Sequence, residues 1–266
     1  MGRFERGLRL ARASWEVLRG DAQLMWLPVV STLAILVFAT AILSPTFISG
    51  VRSTSRGTVY LLFAAVYFVS SLIATFFNAA VVAAASDRLS GGRGTAVDGM
   101  RTAWSRIDRI IAWAALSATV GLVLRGVEQR AGIFGAVVGR LAGVAWSVVT
   151  FLVVPILVFE PVGPIEAVKR SGLLFRSRWG EQLVGNGSIS AAMIILAIPL
   201  ALVCAVLATI AAPLAIAFGV LAFGVLMAAG SAMTAIFNAA LYRYAVSGEV
   251  VGPFGADDLR GAFRRR

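Results

Sequence analysis

Residues 182–242 read QLVGNGSISAAMIILAIPLALVCAVLATIAAPLAIAFGVLAFGVLMAAGSAMTAIFNAALY and contain no charged side chain. About 20 apolar residues are enough for one helix to cross the hydrocarbon core of a bilayer, so this run accommodates two spans. Residues 57–86 form a second uncharged run. A helix of a soluble protein needs a polar face, and these segments have none. The two runs therefore predict a membrane protein.

The whole chain has the composition of a membrane protein with basic connecting segments. Of its 266 residues, 59% are hydrophobic, whereas soluble domains are about 45–50% apolar. The net charge of +11 would suit nucleic-acid binding, but the charges lie between the apolar runs, and we expect no nucleic-acid partner. The chain has no histidine and one cysteine, Cys204, which excludes an internal disulfide and zinc sites built from Cys and His. We expect no metal and no cofactor.

Hydropathy predicts an all-α membrane protein with six transmembrane helices in a single integral membrane domain, residues 1–266. The six predicted spans are residues 24–44, 57–82, 107–124, 141–159, 186–209 and 215–242. Pro155 and Pro199 lie inside spans and predict kinks, which membrane helices tolerate. The first apolar run is long enough to span, so we interpret it as a retained helix rather than a cleaved signal peptide.

The distribution of basic residues predicts the orientation in the membrane. An even number of spans puts both termini on the same side. The termini and the segments after spans two and four together carry 19 arginine and lysine residues, and the opposite side carries 5. The positive-inside rule therefore predicts a multi-pass protein with both termini in the cytoplasm.

Three basic amphipathic segments, each with one tryptophan, precede the odd-numbered spans. Apolar residues recur at helical spacing around Trp15, Trp104 and Trp179, with charged residues offset from them. Helices of this kind lie in the headgroup plane with the aromatic ring at its boundary, so these tryptophans are candidate interfacial anchors. The alternative is that each segment is only the cytoplasmic start of the following span.

A four-residue string, Phe-Asn-Ala-Ala, occurs at 77–80 and again at 237–240, near the ends of spans two and six. Together with the amphipathic segments, it predicts three parallel repeats, each an interfacial helix followed by two spans. Their bounds are approximately 7–86, 97–160 and 166–247, and residues 248–266 form a basic cytoplasmic tail. Units that all enter from one side differ from the inverted repeats of many transporters.

Asn78 and Asn238 are candidate polar interhelical contacts. A polar side chain in a span favours a partner on a neighbouring helix, worth about 0.6–2 kcal/mol. Counting about 20 residues across the hydrocarbon core places both side chains near the cytoplasmic boundary, which favours a role in helix packing. The alternative is a polar pair that lines a substrate path.

Glu160 is the acid nearest to a span on the cytoplasmic side, and we expect an ion pair with Arg170, with Arg178 as the alternative partner. The chain has no GxxxxGK[ST] phosphate loop, no GxSxG motif and no HExxH motif. We therefore expect no enzymatic activity. An enzyme would require acids from separate segments, such as Asp87, Asp108 and Glu160, to converge around a metal.

Three segments together resemble a known family. They are Ala13-Ser14-Trp15-Glu16-Val17-Leu18-Arg19 with the first Phe-Asn-Ala-Ala string, Ala167-Val168-Lys169-Arg170-Ser171 running to Trp179-Gly180-Glu181, and residues 237–245 with Gly248. Over essentially its whole length the chain resembles an uncharacterised bacterial family of six-span integral membrane proteins, domain of unknown function 6159. The resemblance implies a protein of the bacterial cytoplasmic (inner) membrane. It supplies no catalytic or binding residues.

The leading functional expectation is a non-enzymatic membrane component that organises lipid or partner proteins through its cytoplasmic amphipathic helices. Its expected partners are the lipid bilayer, anionic lipid in particular, and a membrane protein or a second copy of the chain. The alternative is a permease or flippase for an apolar or amphipathic solute. No ionisable residue lies deep within a span, which counts against a proton-driven pump.

Overall fold

A computed structural model describes residues 12–19, 23–48, 55–130, 132–177 and 182–248, and their regular structure is helical. Six helical stretches are long and apolar enough to cross a membrane. They are Leu24–Ser44, Gly57–Leu89, Ile107–Glu128, Val137–Phe159, Ile189–Ile210 and Ala212–Ser247. The prediction of an all-helical protein with six candidate spans is confirmed.

The described residues form long helices separated by short ones. In chain order the helices are α1 (12–19), α2 (Gln23–Ile48), α3 (Arg56–Leu89), α4 (Ala96–Trp104), α5 (Ile107–Arg130), α6 (Gly132–Val149), α7 (Val153–Phe159), α8 (Pro164–Ser177), α9 (Gln182–Ile210) and α10 (Ala212–Ser247). The short helices α4 and α8 stand where the sequence predicts amphipathic segments two and three. Helix α1 covers the described part of the first.

Helices α3 and α10 are much longer than a membrane span requires. They contain 34 and 36 residues, which correspond to about 51 Å and 54 Å at 1.5 Å per residue. The hydrocarbon core of a bilayer is only about 30 Å thick. Both helices finish at the same end of the molecule as α7, because Tyr242 and Arg243 of α10 contact Glu160 and Ser86. We call this end the basic end; the sequence predicts that it faces the cytoplasm.

The buried core lies at the basic end. Buried apolar residues are concentrated in 79–85 of α3, 152–158 at α7 and 228–245 of α10. Most of these side chains on α3 and α10 are alanines, so the two helices approach each other closely. The opposite halves of the long helices expose large apolar side chains such as Leu61, Leu202 and Ile210. An apolar surface of this extent is typical of a segment surrounded by lipid.

Helix α4 docks on the final turns of α3 through glycines. A Cβ atom at Gly99 would clash with the carbonyl oxygen of Ala80, and one at Gly94 would clash with that of Ala84. Asp87 and Arg88 fix the connecting loop, because Asp87 Oδ2 accepts from Gly94 N at 2.7 Å and Arg88 Nε donates to Gly94 O at 2.6 Å. The backbone of α4 therefore lies directly against α3.

A capping box begins α4. Asp98 N donates to Thr95 Oγ1 at 3.2 Å, and Thr95 N donates to Asp98 Oδ2 at 3.3 Å. Thr95 Oγ1 also donates to Asp98 Oδ2 at 2.6 Å, and this bond first, with the one from Thr95 N second, holds the pKa of the Asp98 carboxyl below its usual range. Both bonds stabilise the charged carboxylate. The stabilisation they provide is therefore present above the carboxyl's unfolded pKa, and it is lost as the pH falls through the lowered value.

The small face of α4, rather than its tryptophan, packs on the bundle. Gly99 and Ala103 are buried, whereas Trp104 remains 68% exposed. The reason is that only small side chains fit where α4 and α3 are in backbone contact. Trp104 consequently lies at the outer surface, where its ring and that of Phe76 form a T-shaped pair with centroids 6.2 Å apart.

The fourth span is interrupted near its end. Helix α6 ends at Val149 and α7 begins at Val153, with turns at residues 150–152. Pro155 explains the break, since proline has no N–H and its ring clashes with the carbonyl four residues earlier, here that of Phe151. The N–H of Leu152, within the break, finds its partner on another helix: it donates to the buried Oγ of Ser171 in α8 at 3.1 Å. Helix α9 continues through Pro199, and the kink expected there stays a prediction.

Helices α3 and α10 end in the same way. Ser90 Oγ donates to Ser86 O at 2.8 Å, and Ser247 Oγ donates to Arg243 O at 2.7 Å. Each serine is followed by a glycine with positive φ, +85° at Gly91 and +72° at Gly248. Left-handed glycine is the usual residue just past the end of a helix. The Phe-Asn-Ala-Ala string in both helices is thus followed by the same Ser-Gly terminator.

The close contact of α4 with α3 predicts that Gly99→Ala destabilises the protein by about 1–3 kcal/mol, because a Cβ would push the two backbones apart. The measurement is thermal unfolding in detergent. Gly143→Ala is the matched control, since a Cβ at Gly143 meets no atom within 4 Å. Equal unfolding temperatures for the two variants would contradict the backbone contact.

The cap on the broken span predicts that Ser171→Ala lowers the free energy of unfolding by about 1–3 kcal/mol, because it leaves the buried N–H of Leu152 without a partner. Ser147→Ala is the control, since its exposed hydroxyl donates only to Val144 O in its own helix. Denaturant titration in mild detergent compares the two. If Ser147→Ala lowered the free energy of unfolding as much as Ser171→Ala, the role assigned to the Ser171 hydroxyl would be wrong.

Candidate functional site

Glu160 occupies the centre of the basic end. It follows the last residue of α7 in an extended conformation, with φ −110° and ψ 146°, as expected for a residue before a proline. Glu160 is only 9% exposed. The Arg170 Nε atom of α8 lies 2.8 Å from Oε2, and Tyr242 Oη of α10 donates to Oε1 at 2.7 Å. Both carboxylate oxygens therefore have partners on different helices.

Two further contacts complete the cluster around Glu160. Arg109 Nη1 of α5 donates to the backbone oxygen of Glu160 at 2.9 Å. The ring of Phe159 stacks on that of Tyr242, with centroids 5.4 Å apart. We call Arg109, Phe159, Glu160, Arg170 and Tyr242 the Glu160 cluster. It connects α5, α7, α8 and α10 at one point, and its satisfied hydrogen bonds are typical of a structural site.

The structure brings together the ion pair predicted from the sequence. Glu160 and Arg170 are in contact, and Arg170 is half-exposed, so the pair is open to solvent on one side. Arg178, the alternative partner, lies outside the described residues. Sequence reasoning missed Tyr242 and Arg109, because nothing in the pattern around either residue indicates a partner so distant in the chain.

The two asparagines of the repeated string lie in the packed region between α3 and α10. Phe237 and Asn238 are buried, and Asn78 is half-buried. Neither Oδ1 atom has a hydrogen-bond partner within the part of the chain that the structure describes. The interhelical bond predicted from the sequence is therefore not formed by these oxygens. The residues that follow each asparagine in the chain are alanines, which have no side-chain donor.

The predicted interfacial tryptophans are exposed where the structure describes them. Trp15 is 46% exposed and Trp104 is 68% exposed. Helix α1 instead buries Ala13, Ser14 and Leu18 against the bundle. Trp179 lies outside the described residues.

The acids considered for a metal-centred enzyme make separate interactions. Asp87 accepts from Gly94 N, whereas the exposed Asp108 lies 4.0 Å from Arg109. Glu160 is held by Arg170 and Tyr242. Among the residues that the structure describes, no group of three or more Cys, Asp or Glu side chains is arranged to hold a metal ion.

An apolar groove opens between α9 and α10 beside α1 and α2. Its volume is about 720 Å³, and its surface is almost entirely apolar. Met25, Met193 and Met233 line it near the basic end, and Leu200 and Leu221 line its far end. Among the described residues that line it, Arg12 is the one with a charged side chain. Sequence reasoning did not identify this groove, because it arises only when α1 and α2 lie beside α9 and α10, which are distant from them in the chain.

The fold and the site define a class, an all-helical multi-span membrane protein whose packed core lies at one end. A family of unknown function, DUF6159, matches residues 56–252, which is more than half of the chain. The chain belongs to this family, as the resemblance seen in the sequence indicates. No curated protein matches, and no solved structure matches.

The Glu160 cluster predicts that Glu160→Gln lowers the free energy of unfolding by roughly 2 kcal/mol, because charged hydrogen bonds are worth about 1.5–3 kcal/mol each. The control is Asp108→Asn, which removes the same charge from an exposed carboxylate at the edge of its pairing distance. The free energy of unfolding of both variants is measured by denaturant titration, with tryptophan fluorescence as the signal. If the two substitutions had the same effect, the cluster would not fasten the helices.

Proposed function

We propose that this protein is a non-enzymatic component of the bacterial inner membrane that organises anionic lipid at the cytoplasmic face, and partner proteins held there. The observation that carries the proposal is the set of short helices α1, α4 and α8 at the packed basic end. Helix α4 docks on α3, and Ser171 of α8 bonds to the span before it. Each short helix lies at the surface of a preassembled core.

The outer surfaces of these helices combine aromatic and basic side chains. Trp15 and Trp104 are exposed, with the exposed Arg19 and Arg101 close to them on the same helices. Lys169 is exposed on α8. Tryptophan favours the headgroup boundary, and each basic residue near an anionic membrane surface contributes about 1 kcal/mol. The exposed residues therefore suit a surface that rests in the headgroup layer and concentrates anionic lipid there.

The proposed repeat accounts for the positions of the short helices relative to the spans. In two of three units, a short helix follows the second span of the preceding unit and packs back on it: α4 on α3 and α8 on α7. The shared Phe-Asn-Ala-Ala strings and Ser-Gly terminators support a common origin for α3 and α10. Three parallel units would place three such helices around one cytoplasmic face.

A flippase is the second candidate, and the apolar groove favours it because a lipid chain could enter there from the bilayer. The lining of the groove argues for binding rather than passage. A headgroup path across the membrane requires polar side chains, whereas the groove offers one charged residue, Arg12, at one end. Transfer of a fluorescent phospholipid between the leaflets of proteoliposomes tests this alternative directly.

The proposal predicts enrichment of anionic lipid around the protein. Purified protein is reconstituted in vesicles of phosphatidylcholine containing a minor fraction of phosphatidylglycerol, and the lipids retained after gentle extraction are quantified. The variant Arg19→Gln/Arg101→Gln/Lys169→Gln should retain several-fold less phosphatidylglycerol than the native protein.

The matched control removes charge at the opposite end, with Arg125→Gln/Arg140→Gln. This variant should retain phosphatidylglycerol as the native protein does. If the native protein showed no preference for phosphatidylglycerol, or if both variants lost it equally, the proposal would be wrong.

A further inference from the structure

The apolar groove runs along the membrane for about the depth of one leaflet. On α10 its lining extends from Met233 near the basic end to Leu221. Twelve residues of helix correspond to about 18 Å, and half of the hydrocarbon core is about 15 Å. The lining on α10 therefore covers a length close to the thickness of one leaflet.

The groove opens sideways toward the surrounding lipid. Leu196 on α9 is 53% exposed and Leu221 on α10 is 71% exposed, although both belong to its lining. A volume of about 720 Å³ falls within the range of about 300–1,000 Å³ for small-molecule sites. An occupant can thus enter from the bilayer without crossing water.

The side chains of the groove suit a flexible hydrocarbon. Met25, Met193 and Met233 line the part of the groove near the basic end. Methionine has three rotatable bonds and a polarisable sulfur, so it adapts to an irregular or mobile apolar partner. A rigid polar solute would find almost no hydrogen-bonding group along the walls.

Charge complementarity identifies the head of the occupant. Arg12 and Trp15 of α1 stand at the end of the groove that the sequence places at the cytoplasmic headgroups. No carboxylate contacts Arg12 among the described residues. Arginine pairs readily with phosphate oxygens through its planar fork of N–H donors, and tryptophan is the residue typical of this depth.

We infer that the groove holds one acyl chain of an anionic phospholipid from the cytoplasmic leaflet, with the headgroup phosphate against Arg12. The chain lies between α9 and α10 and ends near Leu200 and Leu221. The inference rests on the proposed function, because both place anionic lipid at the basic end. It adds a defined site to a general surface preference.

The test uses the full-length protein in phosphatidylcholine nanodiscs that contain phosphatidylglycerol with a photoreactive diazirine at the end of one acyl chain. After illumination, peptide mass spectrometry locates the adducts. We expect adducts concentrated around Leu200 and Leu221, where the chain ends. Adducts spread evenly over all exposed apolar residues would overturn the inference.

Filling the groove provides the decisive variants. Ala192→Phe and Ala222→Phe each place a ring on one of its walls, and each should reduce groove adducts about tenfold with little change in thermal stability. Ala205→Phe is the matched control, since Ala205 is exposed on α9 and is not part of the lining. Undiminished groove adducts in both filled variants would contradict the site.

Charge variants test the headgroup. Arg12→Gln should reduce labelling by the phosphatidylglycerol probe several-fold, with little effect on a phosphatidylcholine probe of the same chain. Arg140→Gln, at the opposite end of the protein and outside the lining, should leave groove labelling unchanged. If Arg12→Gln had no effect on either probe, the headgroup assignment would be wrong.

The outcomes separate this inference from the proposed function. If the native protein enriches phosphatidylglycerol but no adducts concentrate in the groove, the site is wrong and the proposed function stands. If groove adducts form without any general enrichment of anionic lipid, the proposed function fails and the protein binds a single lipid.

Discussion

Polar contacts to Glu160 join four helices at one residue, in addition to the close packing of small side chains. Lipid tails are as apolar as leucine, so helices in a membrane are not driven together by the hydrophobic effect and depend on close packing and polar contacts. Arg170, Tyr242 and Arg109 bring α8, α10 and α5 to this one residue at the end of α7. The carboxylate is buried and fully partnered, so removing one partner would leave an uncompensated group.

Small residues provide the second constraint. The alanines in 79–85 of α3 and at 239–240 of α10 form a surface with few protruding side chains, and Gly99 lets α4 reach the backbone of α3. Large apolar side chains are consequently turned outward toward lipid. The same division explains why Trp104 lies at the surface, available to the headgroup layer, instead of in the core.

The sequence was sufficient to predict the features that depend on residues close together in the chain. Uncharged runs are long enough to define six spans, and helical spacing around Trp104 predicts a separate short helix. Most contacts between residues distant in the chain could not be predicted from the sequence. Ser171 and Tyr242 carry no local sign of their partners, and the orientation of α4 depends on a backbone contact. The pairing of Glu160 with Arg170 was accessible, because few charges lie close enough to a span to compete.

A protein fastened at its basic end and open to lipid along its spans suits a role in holding lipid at one face of the membrane. The account depends most directly on coupling within the Glu160 cluster. A double-mutant cycle of Glu160→Gln and Tyr242→Phe, measured by unfolding in mild detergent, reports that coupling for residues 82 positions apart. The account predicts a coupling free energy of about 0.5–3 kcal/mol. Strictly additive effects of the two substitutions would contradict it.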